Sequence, residues 1–500
     1  MAMEHFNARN GTITPELEEL QDCNIQFDLE HSMFLDTGSV GHMGNNLVYE
    51  LAQTRNFPLC ALVGPYNNMP AESIALLAAA SATPHIPIQG YSIRLSNPDI
   101  SPMTANINPD IVLTGEAVAS YLVHIQRDNY VAILHPTTEF GAQAKESMTV
   151  AFNKRGMEQF QVYGYLPPMV TDTYGSNSFL RIPAVLERVK ERGFRTILVS
   201  LDVFFTDLAA LADAANALKM LNGDYVWVFM PLFEAEAIHN AMQLPESFLA
   251  SQGIPSFGNV SNLLRGAALI RPVDKYQTMN HSDDEGTSFL NVWKQQDADF
   301  VQRVNDAYVN KTIHMGPEDG FLMLPDFFQT YSPEPATATI YDSIMAVGIG
   351  ACHAQEKSNS SKSNFTIPIL GQDHKDSIIS LDFHGANGRV LFGDPLSNFS
   401  NLKVRTPTTV TFGVWNMYPP SDNATEFTSF DDAFVLTEIE TELGGPYAPS
   451  GTPAAEGKWT QLGPRFVFAN GQITPPELLR DVSLDADKSA LVAYTFSLTP

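Results

Sequence analysis

The chain is predicted to be an α/β protein of two lobes, each a parallel sheet flanked by helices. Three observations predict it. Between residues 112 and 229, apolar strand-like runs and helical stretches alternate strictly, the pattern of a parallel sheet with helical crossovers. The stretch Pro58–Pro109 follows the same order of strand, polar loop, helix and strand. The length of 500 residues exceeds one ordinary domain and suits two lobes of roughly 150–250 residues each.

Residues 23–34 read as a strand, followed by the loop Asp36–Gly44 and a helix to about Thr54. The spacing Gly38-x-x-Gly41-x-x-Gly44 lacks the Lys-Ser/Thr of a phosphate loop and departs from the dinucleotide fingerprint, so it reads as a turn before a helix. The next unit begins with the strand Pro58–Gly64. A loop through Tyr66, Asn67 and Asn68 leads into the alanine-rich helix Ala71–Ala82. Either asparagine can cap that helix, and Pro70 is tolerated in its first turn. A strand His85–Gln89, a turn Gly90-Tyr91-Ser92 and a further strand Asn106–Asp110 complete the unit. Ligands bind such sheets at the carboxyl ends of the strands, where both polar loops fall. A helix start facing a cleft offers free N–H groups suited to a carboxylate.

Beyond Asp110 come helix Val112–Ile125, strand Tyr130–Leu134, the loop His135–Gly141 and a helix to about Lys154. Strand Phe160–Tyr165, helix Pro183–Arg192, strand Thr196–Leu201, loop Asp202–Thr206, helix Asp207–Leu221 and strand Tyr225–Phe229 follow. A helix over 288–307, a helix Ala336–Ala354, an exposed loop Lys357–Asn364 and strands at Asp382–Asp394 and Val410–Trp415 are expected further on. Past about Pro419 the chain turns acidic and rich in Gly, Pro and Thr.

With 44% hydrophobic residues the chain can build cores. Lys+Arg 29 against Asp+Glu 56 gives a net charge of −27. That balance argues against nucleic acid as a partner, which needs clustered cations, and reads as solubility. Eight N-x-Ser/Thr sequons occur, at Asn10, Asn259, Asn280, Asn310, Asn359, Asn364, Asn398 and Asn423. Roughly three or four are expected by chance, so the excess points to a glycosylated, surface-exposed chain. No run of about 20 apolar residues exists to span a membrane. The sequence has no Gly-x-Ser-x-Gly elbow, His-Glu-x-x-His, Cys-x-x-Cys or Walker loop, and its twelve histidines are scattered. The expectation is therefore a binding protein, with no catalytic residue, metal or cofactor.

The run ALVGPYNNMPAESIALLAAASATPHIPIQGYSIRLSN, with NINPD shortly after, resembles the ligand-binding region of type I periplasmic-binding-protein folds (ANF-receptor-like). More narrowly it is similar to the extracellular domains of class C receptors of the metabotropic glutamate and GABA type, and of receptor cyclases. Tyr225–Phe229, Tyr341–Gly348 and SLDFHGANGRVLFGD from Ser380 agree in order, and WTQLGPRFVFANGQITPPELL resembles the tail of GABA-type receptors of simple eukaryotes.

The resemblance implies a two-lobed Venus-flytrap fold. Lobe 1 takes residues 1–109 and returns over 266–395, beginning with the strand Gly266–Pro272. Lobe 2 takes 110–265, residues 396–420 cross back toward it, and 421–500 form an extension leading toward a membrane region. Met3–Gly11 resembles the end of the family's first helix, so the central first strand is expected ahead of Met1.

The resemblance also implies a small-molecule ligand between the lobes, closure on binding, a dimer through lobe 1 helices 41–54 and 68–82, and transmembrane helices in the full-length protein. Lobe 1 would contribute Tyr66, Asn67, Asn68, Tyr91 and Ser92 to the ligand. Lobe 2 would contribute Asp110, Glu139, Phe140, Asp202 and Phe233, with Asp110 placed to pair a ligand ammonium and Phe140 to cover the ligand. Asp110 also suits a helix N-terminus, and Asn67 or Asn68 a cap. Two departures loosen any assignment to an α-amino acid. Asn67-Asn68-Met69 replaces the family's Ser/Thr-rich carboxylate loop, and Met230-Pro-Leu-Phe233 replaces a Ser-Asp-Gly-Trp type segment.

A free solute-binding protein and the ectodomain of a receptor cyclase or channel are the competing readings. Cys23 and Cys60 both open predicted strands and form the candidate disulfide. In the related folds those strands flank a third, about 10 Å apart unless their ends converge. Cys352, on an apolar helix face, reads as a buried free thiol.

Overall fold

The computed structural model describes residues 1–27, 60–66, 68–88, 90–109, 111–157, 159–167, 181–201, 205–231, 259–273, 284–311, 323–333, 336–360, 371–393, 404–405, 411–417, 434–437, 439–441, 459–461 and 468–469. In chain order the first elements are α1 (Ala2–Asn7), a 3-10 turn (Pro15–Leu20), β1 (Leu62–Tyr66), α2 (Asn68–Ser81), β2 (His85–Ile88) and α3 (Ile93–Ser96). The alternating stretch follows as α4 (Ile111–His124), β3 (Val131–Pro136), α5 (Glu139–Lys154), β4 (Phe160–Tyr165), α6 (Ile182–Glu191), β5 (Thr196–Leu201), α7 (Phe205–Ala217) and β6 (Val226–Pro231). Then come α8 (Val260–Leu264), β7 (Ala268–Val273), α9 (Asp284–Lys294), α10 (Ala298–Lys311), α11 (Phe327–Thr330), α12 (Thr337–Ser360) and α13 (Gly371–Ile379). The last elements are strands: β8 (Asp382–Gly385), β9 (Gly388–Gly393), β10 (Val404–Arg405), β11 (Thr411–Met417), β12 (Phe434–Thr437), β13 (Ile439–Thr441) and β14 (Trp459–Gln461).

A seven-stranded sheet in the order β12-β11-β7-β6-β5-β3-β4 dominates the molecule. Its β7-to-β4 half is parallel, and β11 and β12 close the other edge antiparallel. Its parallel strands are continuous apolar runs because both faces are covered. Ala132, Leu134, Ile197, Val199, Leu201, Trp227 and Phe229 pack with α6, α7 and α8. The alternate residues Val131, Ile133, Leu198, Val226, Val228 and Met230 pack with α4 and α5. One strand period therefore feeds two cores.

A separate core gathers Phe6, Leu17, Ile86, Ile107, Phe289, Tyr341, Met345, Ile378, Phe383 and Val390. It lies among α1, α9, α12 and α13, beside the parallel pair β1–β2 and the antiparallel sheet β10-β9-β8. Helix α12 threads its middle. A Cβ on Gly348 would stand 2.4 Å from the Phe6 ring, so only glycine lets the two segments approach this closely. Asp342, fully buried on the same helix, accepts hydrogen bonds from the backbone N–H of Ala386 (2.5 Å) and Asn387 (3.0 Å), pinning the β8–β9 turn.

Several expectations are corrected. Ala268–Val273 does not return to the first lobe's sheet. It lies between β6 and β11 in the large one, where Ala268, Leu269 and Ile270 are buried. The 421–500 segment is in part folded back, since β12 pairs with β11 and Phe468 is buried in the α4–α5 core. No strand forms at 106–109, and the isolated bridge nearby joins His85 to Thr104, ahead of that stretch. There Asn106 and Asn108 spend their side-chain amides on Gly90 O and Pro87 O instead of on a ladder. Residues 23–27 form no strand, and the helix expected at 288–307 is two, broken around Gln295–Asp297.

The disulfide is Cys23–Cys352, with Cα atoms 5.7 Å apart, so neither the Cys23–Cys60 pair nor a free Cys352 holds. The buried helix face that carries Cys352 passes beside the segment after the 3-10 turn, while Cys60 is exposed. Asn10 and Asn259 are partly exposed, Asn310 and Asn359 lie on α10 and α12, and Asn280, Asn364, Asn398 and Asn423 fall outside the described residues.

Two outcomes are expected. Asp342→Ala strands two buried N–H groups and should lower unfolding free energy by about 2–3 kcal/mol in chemical denaturation; a loss below about 0.5 kcal/mol would reject the pinning role. Native protein should expose one thiol to a thiol reagent, at Cys60. Three should react after reduction and denaturation, with Cys23 and Cys352 appearing together by peptide mapping.

Candidate functional site

The first lobe's edge is built at the carboxyl ends of β1 and β2. His85 sets its depth. The imidazole is fully buried, with Nε2 2.8 Å from Gly64 O and Nδ1 3.1 Å from Thr104 Oγ1. A carbonyl only accepts, so Nε2 carries the proton and Nδ1 accepts from the threonine hydroxyl. This ties β1 to β2 and to the 101–109 segment just before Tyr66, which ends β1. Asn68 opens α2.

The adjoining turn, 90–96, is held by three groups. Asn106 Nδ2 donates to Gly90 O (2.7 Å) and Ser96 Oγ (3.1 Å), Leu95 packs on Ala71 and Ala75 of α2, and Ser92 Oγ donates to Glu72 Oε1 (2.5 Å). Ser92 is buried and also accepts from Arg94 N, capping α3; Tyr91 is half-buried. Ser92 is thus committed to Glu72.

The second lobe's edge is the start of α5 with the ends of β3, β4 and β5. Thr138 caps α5 by accepting from Gly141 N (3.1 Å), and Glu139 sits in the first turn, where the helix dipole favours a carboxylate. A Cβ on Gly141 would lie 1.9 Å from Pro136 O, so glycine is what lets α5 start against the end of β3. Phe140 packs on the α4–α5 core rather than standing free. At the ends of β4 and β5 the buried Tyr165 hydroxyl lies 3.2 Å from both Ser200 O and Asp207 Oδ2.

These two edges meet. Arg94 Nη1 stands 2.5 Å from Glu139 Oε1, and its Nε is 3.6 Å from Glu72 Oε2. The Ile93 N–H donates to Gln143 Oε1 (3.0 Å), and the Ile93 side chain packs against the α4–α5 core. The Glu139 carboxylate raises the Arg94 pKa above its ordinary value.

Of the sequence-predicted residues, Tyr91 and Ser92 lie on the turn whose Ile93 and Arg94 meet α5, the helix that Glu139 and Phe140 open. Tyr66 and Asn68 lie on the same lobe 1 edge. Asn67, Asp110, Asp202 and Phe233 fall outside the described residues. Glu72, Arg94, Gln143, Tyr165 and Asp207 were missed. Only Arg94 had a usable signal, a lone cation beside a turn already singled out. Among the described residues, no cluster of three or more His, Cys, Asp or Glu is arranged to hold a metal, and no helix is long and apolar enough to cross a membrane.

With this geometry in place, comparison with known families supplies the class: the receptor family ligand binding region matches residues 16–403. The chain belongs to that family, and its fold is that of a type I periplasmic-binding-protein-like ligand-binding region. It is a receptor domain for a small-molecule ligand. No curated protein matches the chain.

Burial pushes the His85 imidazole down from 6.5 to about 4. The unfolded chain therefore binds the extra proton first, and stability falls as pH drops from about 6.5 to about 4 and is level below. His5, His124, His135 and His374 are shifted the same way by burial. For His85 alone the loss should reach about 3 kcal/mol. Urea melts across this range should show His85→Gln, though less stable at pH 7, with a shallower acid slope than the parent; parallel slopes would refute the buried neutral imidazole.

Proposed function

We propose that the chain is the ligand-binding ectodomain of a class C receptor of the GABA type, which binds a small organic molecule between the lobes and signals by closing on it. The match over residues 16–403 carries the reading. It is supported by two strand-end edges, one around Tyr91–Arg94 and one around Glu139–Gln143, that approach each other across polar contacts. The action is binding without catalysis. Ligand adds affinity to the closed state and so raises its population.

On this reading the chain lies on the extracellular face, carries glycans at its sequons, and continues into transmembrane helices. Helix α2, whose Leu76 is exposed, lies on the face through which lobe 1 would dimerise. A soluble solute-binding protein and the ectodomain of a receptor cyclase or channel are the alternatives.

A thermal-shift screen with γ-aminobutyrate, the proteinogenic amino acids and small carboxylates tests the binding. At least one compound should raise the Tm in proportion to the logarithm of its concentration. Asn67→Ala and Asp110→Ala should each weaken that compound at least about tenfold, the loss of one charged or polar contact, while leaving the protein folded. Unaltered affinity in both variants would remove the assigned site.

A further inference from the structure

We infer that Arg94 is a positioning residue, the lobe 1 half of an electrostatic latch that biases the two lobes toward closure before any ligand binds. This rests on the lobe-closing reading above and adds a regulator to it.

Arg94 belongs to the first lobe by its anchorage. Its turn is fixed to α2 through Ser92–Glu72 and Leu95, and to the 101–109 segment through Asn106. Glu139 and Gln143 belong to the second, on a helix whose Ala144, Met148, Ala151 and Phe152 are buried in the large sheet's core. Besides the Ile111 N–H to Tyr91 O bond at the crossover, contacts of three kinds join this turn to the second lobe. These are the Arg94–Glu139 ion pair, the Ile93 N–H to Gln143 hydrogen bond, and Ile93 packing on the second lobe's core. Glu72 serves the latch from behind, its carboxylate shared between Ser92 Oγ and the Arg94 guanidinium, so the cation is aimed across the gap before the lobes meet.

Exposure sets the strength. The Arg94 and Glu139 side chains are 43% and 59% exposed, so solvent screens the pair. A pair of this kind shifts an open–closed ratio by no more than about fivefold. That is a bias and not a lock.

The test reads lobe separation directly. Spin labels at Asp373→Cys on α13 and Glu187→Cys on α6, both exposed, are placed in the full chain with Cys60→Ser, and pulsed dipolar spectroscopy gives the distance distribution without ligand. Arg94→Gln and Glu139→Gln should each raise the long-distance population about two- to fivefold. The double variant should do no more than either single one, because both remove one interaction. Raising NaCl from about 0.05 to about 1 M should move the parent the same way and leave the double variant where it was. Melting temperatures should stay within about 1 °C of the parent, which a purely structural role would not predict.

Distances unchanged in both single variants, or effects that add in the double variant, overturn the latch. The readout uses no ligand, so a screen in which nothing binds would count against the function and leave the latch standing, and the reverse also holds.

Discussion

Covering both faces of the large sheet is the constraint from which the rest follows. Helices α6, α7 and α8 seal one face and α4 and α5 the other, so side chains along β3, β5 and β6 are mostly apolar, with Thr196 and Ser200 of β5 as buried hydroxyl exceptions. Polar groups have nowhere to go along the strands without being buried unpaired. They collect at the strand ends, and those ends are where Tyr165, Asp207, Thr138 and Glu139 are found. The location of a binding edge is in this sense a result of core packing, whatever the ligand is. The same logic acts in the smaller lobe, where the buried His85, Asn106 and Asn108 are each fully engaged with backbone carbonyls and neighbouring side chains.

How much of this was legible beforehand depends on the range over which each signal acts. The βα alternation from 112 to 229 was readable because strand and helix periods are local, and nearly every element there falls within a residue or two of its expected bounds. The edge residues Tyr91, Ser92, Glu139 and Phe140 were readable as polar or aromatic residues in loops that follow strands. Their partners were not. Glu72 sits just past the first turn of an alanine-rich helix and Gln143 in an ordinary helical position, and no periodicity distinguishes a carboxylate that will meet Arg94 from one that will meet water. The packing of Phe140 was not legible either: its partly buried ring rests against the α4–α5 core, a contact made through residues distant in the chain.

Long-range closure was the least legible. Cys23 and Cys352 are separated by 329 positions, and only the path of α12 beside the segment after the 3-10 turn brings them together. Pairing Cys23 with Cys60 used their shared position at predicted strand starts, which leaves Cα separation open. The strand Ala268–Val273 makes the same point. Its composition fits any buried strand, and its assignment to one sheet or the other is decided by β11, which pairs with it from about 140 residues later in the chain. Asp342 pinning the β8–β9 turn is a third case, with partners 44 and 45 residues away.

Weak coupling between the lobes is what a ligand-operated clamp requires. A ligand must favour the closed form by about 10⁴-fold to carry an equilibrium from 1:99 to 99:1. A resting bias lowers that demand, provided it stops short of closing the cleft by itself. Deep burial of the Arg94–Glu139 pair would overshoot, since breaking a desolvated pair costs several kcal/mol and would trap the lobes shut. Leaving both side chains about half exposed keeps the interaction in the range that thermal motion reverses. In the proposed closure the apolar contact of Ile93 and the amide of Gln143 would add direction, because both join the 91–96 turn to α5 and its core in one register. On the proposed closure, the charges would set how often the lobes meet, and the short-range contacts would set where.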